Sequence, residues 1–266
     1  MPSSSLLIST YNWPGALEIC LQSTLGQSIQ PGEIIICDDG STADTEKIVQ
    51  NFQAVSNTPV IHVWQKDEGF KLGQIRNKGI GKASGDYIIQ IDGDLILHKH
   101  FVRDHLNFSK KNHFTTGSRV LLSGITTQQL IANKSIDIKK YSQNSRNFFN
   151  SLHIPIMHNL LAKCYKNKGK NKYYVKGCNM AFWKSDLLGI NGYNEDFTGW
   201  GKEDSELAIR LINSGVKKQF LKFGAISYHL YHKEASRDME EKNFMMMKQA
   251  IEKRMVRTLK GVDQYL

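Results

Sequence analysis

The sequence predicts an α/β protein with a mostly parallel, doubly wound sheet flanked by helices. Two observations predict it. Short apolar runs alternate with segments of helical apolar spacing through the first 95 residues. Three of those runs stop at polar clusters, Thr10–Asn12, Asp38–Ser41 and Asp92–Asp94. Such sheets place ligands beyond the carboxyl ends of their strands, so the three clusters should share one rim.

Leu6–Thr10 is a short apolar run that stops at a Tyr-Asn-Trp-Pro-Gly turn, which makes it a buried strand. Leu17, Cys20, Leu21 and Leu25 then carry helical spacing over residues 16–27. Glu33–Cys37 is a second strand and 44–52 a second helix. Val60–Trp64 is a third strand, 72–83 a third helix and Tyr87–Ile91 a fourth strand. The second half is less regular. Residues 101–110 form a helix, and 126–172 read as polar helix and loop. Met180–Trp183 is apolar, 189–201 is rich in turns, and 203–214 is an amphipathic helix. Residues 219–228 read mainly as one strand, and 239–258 as a long, charged, Met-rich helix.

The chain has 266 residues, 40% of them hydrophobic and 23% charged. That suits one large α/β domain or two lobes sharing a core. The formal charge of +10 points to an anionic partner: nucleic acid, a phosphorylated ligand or an anionic membrane surface. Basic residues crowd into 163–172 and the last thirty positions. Cys20, Cys37, Cys164 and Cys178 form no CxxC pair and read as free thiols in a reducing compartment. The start has no basic leader, and no run approaches the ~20 apolar residues that cross a bilayer. The expectation is a cytoplasmic protein.

Four motifs carry chemistry. Asp92-Gly93-Asp94 brings two carboxylates onto one tight turn at a strand end. They suit a hard cation such as Mg²⁺ or Mn²⁺, although Asp-Gly is also common turn chemistry. Glu203 and Asp204 open a helix after Gly199-Trp200-Gly201. An acid there either complements the helix dipole or serves as a general base, with Trp200 stacking on or closing over a sugar. His229 and His232 each offer a further metal ligand or an ordinary half-buried histidine. Arg76, near a helix start, either pairs with a diphosphate at the rim or is solvated.

Together these elements resemble family 2 glycosyltransferases of the GT-A fold. The matching residues are Thr10-Tyr11-Asn12, Cys37-Asp38-Asp39-Gly40-Ser41, Arg76-Asn77-Lys78-Gly79, Asp92-Gly93-Asp94 and Gly199–Asp204, in the family's order. The second half is similar to the branch holding bacterial chondroitin-polymerase modules and β-1,4-galactosyltransferases. The resemblance implies an inverting hexosyltransferase that moves a sugar from a UDP-sugar to a glycan or lipid-linked acceptor, in bacterial surface polysaccharide synthesis. Thr10, Tyr11 and Asn12 would border the base, and Asp38, beside Asp39, would meet the uracil N3–H. Arg76 would touch the diphosphate. Asp92 would hold ribose or metal, and Asp94 the metal. Asp204 would be the base, and Glu203 would bind hydroxyls. Gly177 would shape the sugar pocket. His229 fits the family's metal histidine better than His232.

The resemblance also divides the chain. Residues 1–95 would bind the nucleotide sugar, 96–235 would bind acceptor and carry catalysis, and 236–266 would be a helical tail. The cation would be Mn²⁺ or Mg²⁺. No nucleic acid partner is expected. The basic C-terminal helix could touch an anionic membrane on its inner face. Two alternatives stay open: a metal-dependent nucleotidyltransferase and a non-catalytic basic nucleotide or nucleic-acid binder. The first lacks a Gly-rich loop after the first strand, and the second lacks any recognisable nucleic-acid module.

Overall fold

The computed structural model describes residues 1–138, 145–169, 172–233 and 236–266. Strands β1 (Ser4–Thr10), β2 (Glu33–Asp38), β3 (Val60–Trp64) and β4 (Tyr87–Asp92) run parallel, linked by helices α1 (Pro14–Leu25), α2 (Ala43–Val55) and α3 (Leu72–Lys82). The strand runs are almost continuously apolar because helices cover both faces of a parallel sheet. Leu6, Ile8, Ile34 and Ile89 pack with Leu17 and Leu21 of α1 and Phe52 of α2. Leu7, Ile35 and Ile88 point the other way, toward Ile75 and Ile80 of α3.

The chain then makes β5 (Leu95–Leu97), α4 (Phe101–Asn107), β6 (His113–Thr116), β7 (Arg119–Leu121) and α5 (Gly124–Ala132). After a 3-10 turn at Phe148–Ser151 come α6 (Ile156–Ala162), β8 (Asn179–Trp183), α7 (Lys184–Gly189) and α8 (Glu203–Asn213). β9 (Lys217–Phe220), β10 (Ser227–His229), α9 (Glu240–Glu252) and a 3-10 turn at Val262–Tyr265 complete it. Among the described residues the main sheet has the order β3-β2-β1-β4-β8-β6-β9. β8 alone runs antiparallel to its neighbours. The sheet therefore takes strands from both sides of residue 95. A second sheet has the order β5-β10-β7.

Three strands were not legible in the sequence. β5, β6 and β7 are three or four residues long, too short to show a period. The single strand expected over 219–228 is two strands in different sheets. Phe223 and Ala225, with φ of 61° and 43°, break it between β9 and β10. The long helix expected over 239–258 stops at Glu252. Beyond it, Val262 is buried in the core below α3. The expected loop over 126–172 includes residues 139–144 and 170–171, which lie outside the described residues. All four cysteines are free, and Cys164 alone of them is exposed.

Arg210 fixes α8 in place. Its guanidinium is fully buried and bonds both Glu206 oxygens, at 2.7 and 2.9 Å, and the carbonyls of Ile190 and Gly192, at 2.7 and 2.8 Å. This ties the helix that begins at Glu203 to the turn that leads into Tyr193. Removing one partner of such a pair strands a buried charge. Glu206→Ala should therefore cost ~3–5 kcal/mol of unfolding free energy in urea titrations. Glu206→Leu with Arg210→Met should recover most of it; a double variant no better than the single would exclude the stranded-charge explanation.

Candidate active site

The three polar clusters do meet at one rim. Asp39 N–H donates to Thr10 O at 3.0 Å, and Gly93 N–H to Ser9 O at 2.7 Å. Asn12 adopts a left-handed φ of 44°, which asparagine tolerates. Its N–H donates to Ser41 Oγ and its Oδ1 accepts from Thr42 N–H. Asp38 is buried, with Oδ1 accepting from Ser41 N–H at 2.8 Å and Oδ2 3.1 Å from His62 Nε2. Asp39 is buried too, accepting from Gln65 Nε2 at 2.6 Å and Lys71 N–H at 2.9 Å. Tyr11 is exposed, its hydroxyl donating to Asp67.

Arg76 lies inside, not at a solvent-facing rim as expected from the sequence. Its side chain is 1% exposed. Nη2 donates to Asp92 Oδ1 at 2.9 Å, Nη1 to Asp204 Oδ1 at 2.9 Å, and Nε to Ser9 Oγ at 3.1 Å. The guanidinium is thus spent on protein acceptors. It joins two carboxylates that are 112 residues apart in the chain. Tyr193 helps: its hydroxyl lies 2.9 Å from both Asp204 Oδ1 and Gln90 Oε1. Gln90 in turn donates to Gly177 O at 2.9 Å.

The turn before α8 aims these acids. Gly199, Gly201 and Lys202 all have positive φ, of 68°, 109° and 73°. That swings Glu203 and Asp204 onto the first turn of α8, where the helix dipole favours acids. Gly177 is appressed to Asp204, and a Cβ on it would lie 1.8 Å from Oδ2. Trp200 is half-buried, with Arg237 over its ring at 5.5 Å. Glu203 is buried, and its Oε2 has no partner among the described residues. Burial, reinforced by Asp204, pushes its carboxyl up to about 7. Burial also raises Asp92, to about 6, against the pull of Arg76.

The second sheet assembles a separate cluster. β10 pairs with β5 so that His229 lies opposite Leu95, and Leu230 N–H donates to Asp94 O at 3.0 Å. This brings His229 Nε2 to 3.4 Å and His232 Nε2 to 3.2 Å from Asp94 Oδ2. The three donor atoms lie within 4.8 Å of one another. Both Nδ1 atoms face carbonyls, of Leu230 at 2.8 Å and Lys233 at 2.7 Å. A carbonyl only accepts, so each Nδ1 carries hydrogen, and a ring that gives up its Nε2 proton to a cation turns that lone pair inward. Asp94 Oδ1 is buried with no partner among the described residues. Two imidazole nitrogens and an orphaned carboxylate oxygen fit a divalent cation. Burial raises the Asp94 carboxyl, but the histidines hold it below its ordinary value, and Asp94 lifts His232 to about 9. Asp92 is not in this trio; its Oδ1 bonds Arg76 instead.

Arg119 and Tyr193 carry no motif that singles them out in the sequence. Arg119 on β7 is half-buried, and Asp92 and Asp94 act on its charge. Its Nη1 meets Cys178 Sγ at 3.2 Å, and its Nε has no partner among the described residues. One cation opening the apolar run Arg119–Leu122 was the available signal. Asn179 is buried and bonds His105, Ser118 O and Ala225 O, joining β8 to the second sheet. Nothing in a lone Asn signals that role.

Comparison with known proteins agrees with this geometry. Residues 5–169 match the Glycosyl transferase family 2 model. The chain belongs to that family. It is a glycosyltransferase with the GT-A fold, which removes the nucleotidyltransferase and nucleic-acid-binder alternatives. Residues 158–233 also match the N-terminal domain of galactosyltransferase. The chain is 29% identical over 249 residues to chondroitin synthase of Escherichia coli, covering 85% of this chain and 34% of that one. It is 26% identical over 240 residues to chondroitin synthase of Pasteurella multocida, covering 85% of this chain and 24% of the relative. It thus spans about a third or less of these relatives' length. In fold it resembles S. aureus TarS 1–349, with a TM-score of 0.66 and 15% identity over 99% of this chain and 68% of that one. A mannosyltransferase from Pyrobaculum calidifontis, solved with GDP-Man and Mn²⁺, has a TM-score of 0.60 and 16% identity over 88% of this chain and 58% of its own.

Two outcomes follow from the site. Gly177→Ala should displace the Asp204 carboxylate, and a ~1 Å misplacement should lower transfer by about 10²-fold. Wild-type turnover in that variant would show that the close approach is dispensable. Glu203 is favoured neutral in the folded state, so its stabilising effect is full below 4.5 and fades as pH rises toward 7. The loss is about 3 kcal/mol at most. Urea midpoints of the wild type should fall between pH 5 and 7.5, and Glu203→Gln should flatten that slope.

Proposed function

We propose that this glycosyltransferase moves a hexose from a UDP-sugar to a hydroxyl of a glycan or lipid-linked saccharide, with inversion, in bacterial surface polysaccharide synthesis. The observation that carries it is the Arg76 bridge, which sets Asp204 beside the strand end bearing Asp92 and Asp94. A base and a cation-binding centre within one cleft suit a single displacement.

Asp204 takes the acceptor proton. Arg76 and Tyr193 occupy its Oδ1 and so orient Oδ2 toward the floor at Gly177. General-base assistance of this kind is worth ~10²–10⁴-fold. Glu203, with an unpartnered oxygen, accepts a hydroxyl hydrogen of donor or acceptor. Thr10, Tyr11, Asn12 and the Asp38–Asp39 turn border the base, and Asp92 receives the ribose. Trp200 closes over the sugar. Arg119, not the fully spent Arg76, faces the diphosphate, since it is only part-buried and its charge is felt at Asp92 and Asp94. Asp94, His229 and His232 would hold a divalent cation, which would neutralise charge on the departing diphosphate. Imidazole donors favour Mn²⁺ over Mg²⁺, which prefers oxygen. The chondroitin synthases it resembles build polymers, which supports a growing glycan as acceptor.

UDP with Mn²⁺ should raise the melting temperature, and His229→Ala with His232→Ala should remove that shift. Asp204→Asn should keep the shift yet nearly abolish transfer. Equal loss of UDP binding in Asp204→Asn would give that residue another role. Full turnover in a chelator would sink the metal assignment.

A further inference from the structure

A ridge of large apolar side chains stands on the surface next to the cleft. Phe149 is 76% exposed, Ile156 86% and Leu160 68%, with Phe148 and Leu152 also exposed. Ile156 and Leu160 are four residues apart and share one face of α6. The backbone beneath is anchored. Ile154 N–H donates to Phe223 O, and His158 Nε2 meets the same carbonyl at 2.9 Å. Asn150 is bonded to Arg119 O and to Lys222 Nζ. The segment is therefore held with these side chains outward, and its first turn rests on the strand that carries Arg119. Soluble proteins seldom expose such a contiguous apolar surface without a use for it.

The flank of the same helix is basic. Asn159, Ala162 and Lys163 line a cavity of about 990 Å³ shared with Lys110, Lys172, Lys217 and Lys218. Among the described residues no acidic one lines it. An apolar face bordered by lysines is the pattern of a segment lying in the headgroup layer of an anionic bilayer. The C-terminal helix lacks that pattern. Over Glu240–Glu252 it carries three glutamates against two lysines, and Asn243 and Ala250 bury it on the core. Among the described residues no helix is long and apolar enough to cross a membrane.

We propose that residues 148–160 and the adjoining lysine-lined cavity form a docking surface for an anionic lipid bilayer. The apolar ridge enters the headgroup layer, and the lysines receive lipid phosphates. This holds the cleft beside the membrane surface. The proposal does not depend on the donor, acceptor or mechanism given above.

Flotation of the full chain with phosphatidylcholine vesicles, with and without phosphatidylglycerol, tests it. The wild type should float with the anionic vesicles and stay behind with the neutral ones. Ile156→Asp with Leu160→Asp, and separately Lys163→Glu with Lys172→Glu, should each weaken binding by about tenfold or more. All four sites are exposed, so both variants should keep the wild-type melting temperature and UDP–Mn²⁺ shift. Met245→Asp on α9 should bind lipid as the wild type does. Three results would overturn the proposal. One is equal binding by either double variant. Another is lipid-free self-association that Ile156→Asp with Leu160→Asp dissolves, which would make the ridge an interface between copies. The third is a lysine pair needed equally for a soluble acidic oligosaccharide while the apolar pair is irrelevant.

Discussion

The guanidinium of Arg76 is the interaction on which the active site depends. It is buried between the ends of β1 and β4 and the start of α8, and each of its bonded acceptors belongs to a different one of these elements. A buried cation is tolerated only when its charge and donors are met. Here Asp92 and Asp204 supply the charge and Ser9 a third acceptor. The requirement works in both directions. The strand-end aspartate and the helix-start aspartate would repel each other without the arginine, so one residue both satisfies the interior and brings the two halves of the cleft together. Arg210 repeats the principle one turn deeper, where it fastens α8 to the turn before Tyr193.

The metal-type cluster depends on a different constraint, the pairing of β5 with β10. Each strand has only three residues, yet their register puts His229 beside the chain leaving Asp94. Backbone carbonyls then settle the tautomers of His229 and His232. The electrostatics of the two centres differ accordingly. Around Asp94 histidine charge holds a carboxyl low, while around Glu203 burial and a neighbouring acid hold one high. One carboxyl is thus held charged and the other neutral.

The surface is as uneven as the interior. The positive charge of the chain is not spread evenly, nor is it concentrated on α9, the helix whose residues suggested a basic tail. Five lysines edge the cavity under α6, next to the apolar ridge. Recognition of a small charged donor and contact with a broad anionic surface would then use separate faces, joined by the strand that carries Arg119.

Much of this was legible in the sequence. Apolar runs such as Glu33–Cys37 and Tyr87–Ile91 are continuous because both faces of a parallel sheet are buried. Their polar ends marked the rim, and the order of motifs from Thr10 to Asp204 marked the family. Short strands were not legible, because three residues carry no period, and residues 219–228 were apolar enough to hide a break made by two positive φ angles. The inward place of Arg76 was not legible, because sequence shows residue type and helical position but not which acceptors a fold brings around it. The sequence by itself determined the parallel half of the sheet, its helices and the acids at its rim, since these follow from local hydrophobic pattern and turn chemistry. Only the tertiary structure decided that Arg76 faces inward and that both histidines converge on Asp94, because each depends on pairing between segments more than a hundred residues apart.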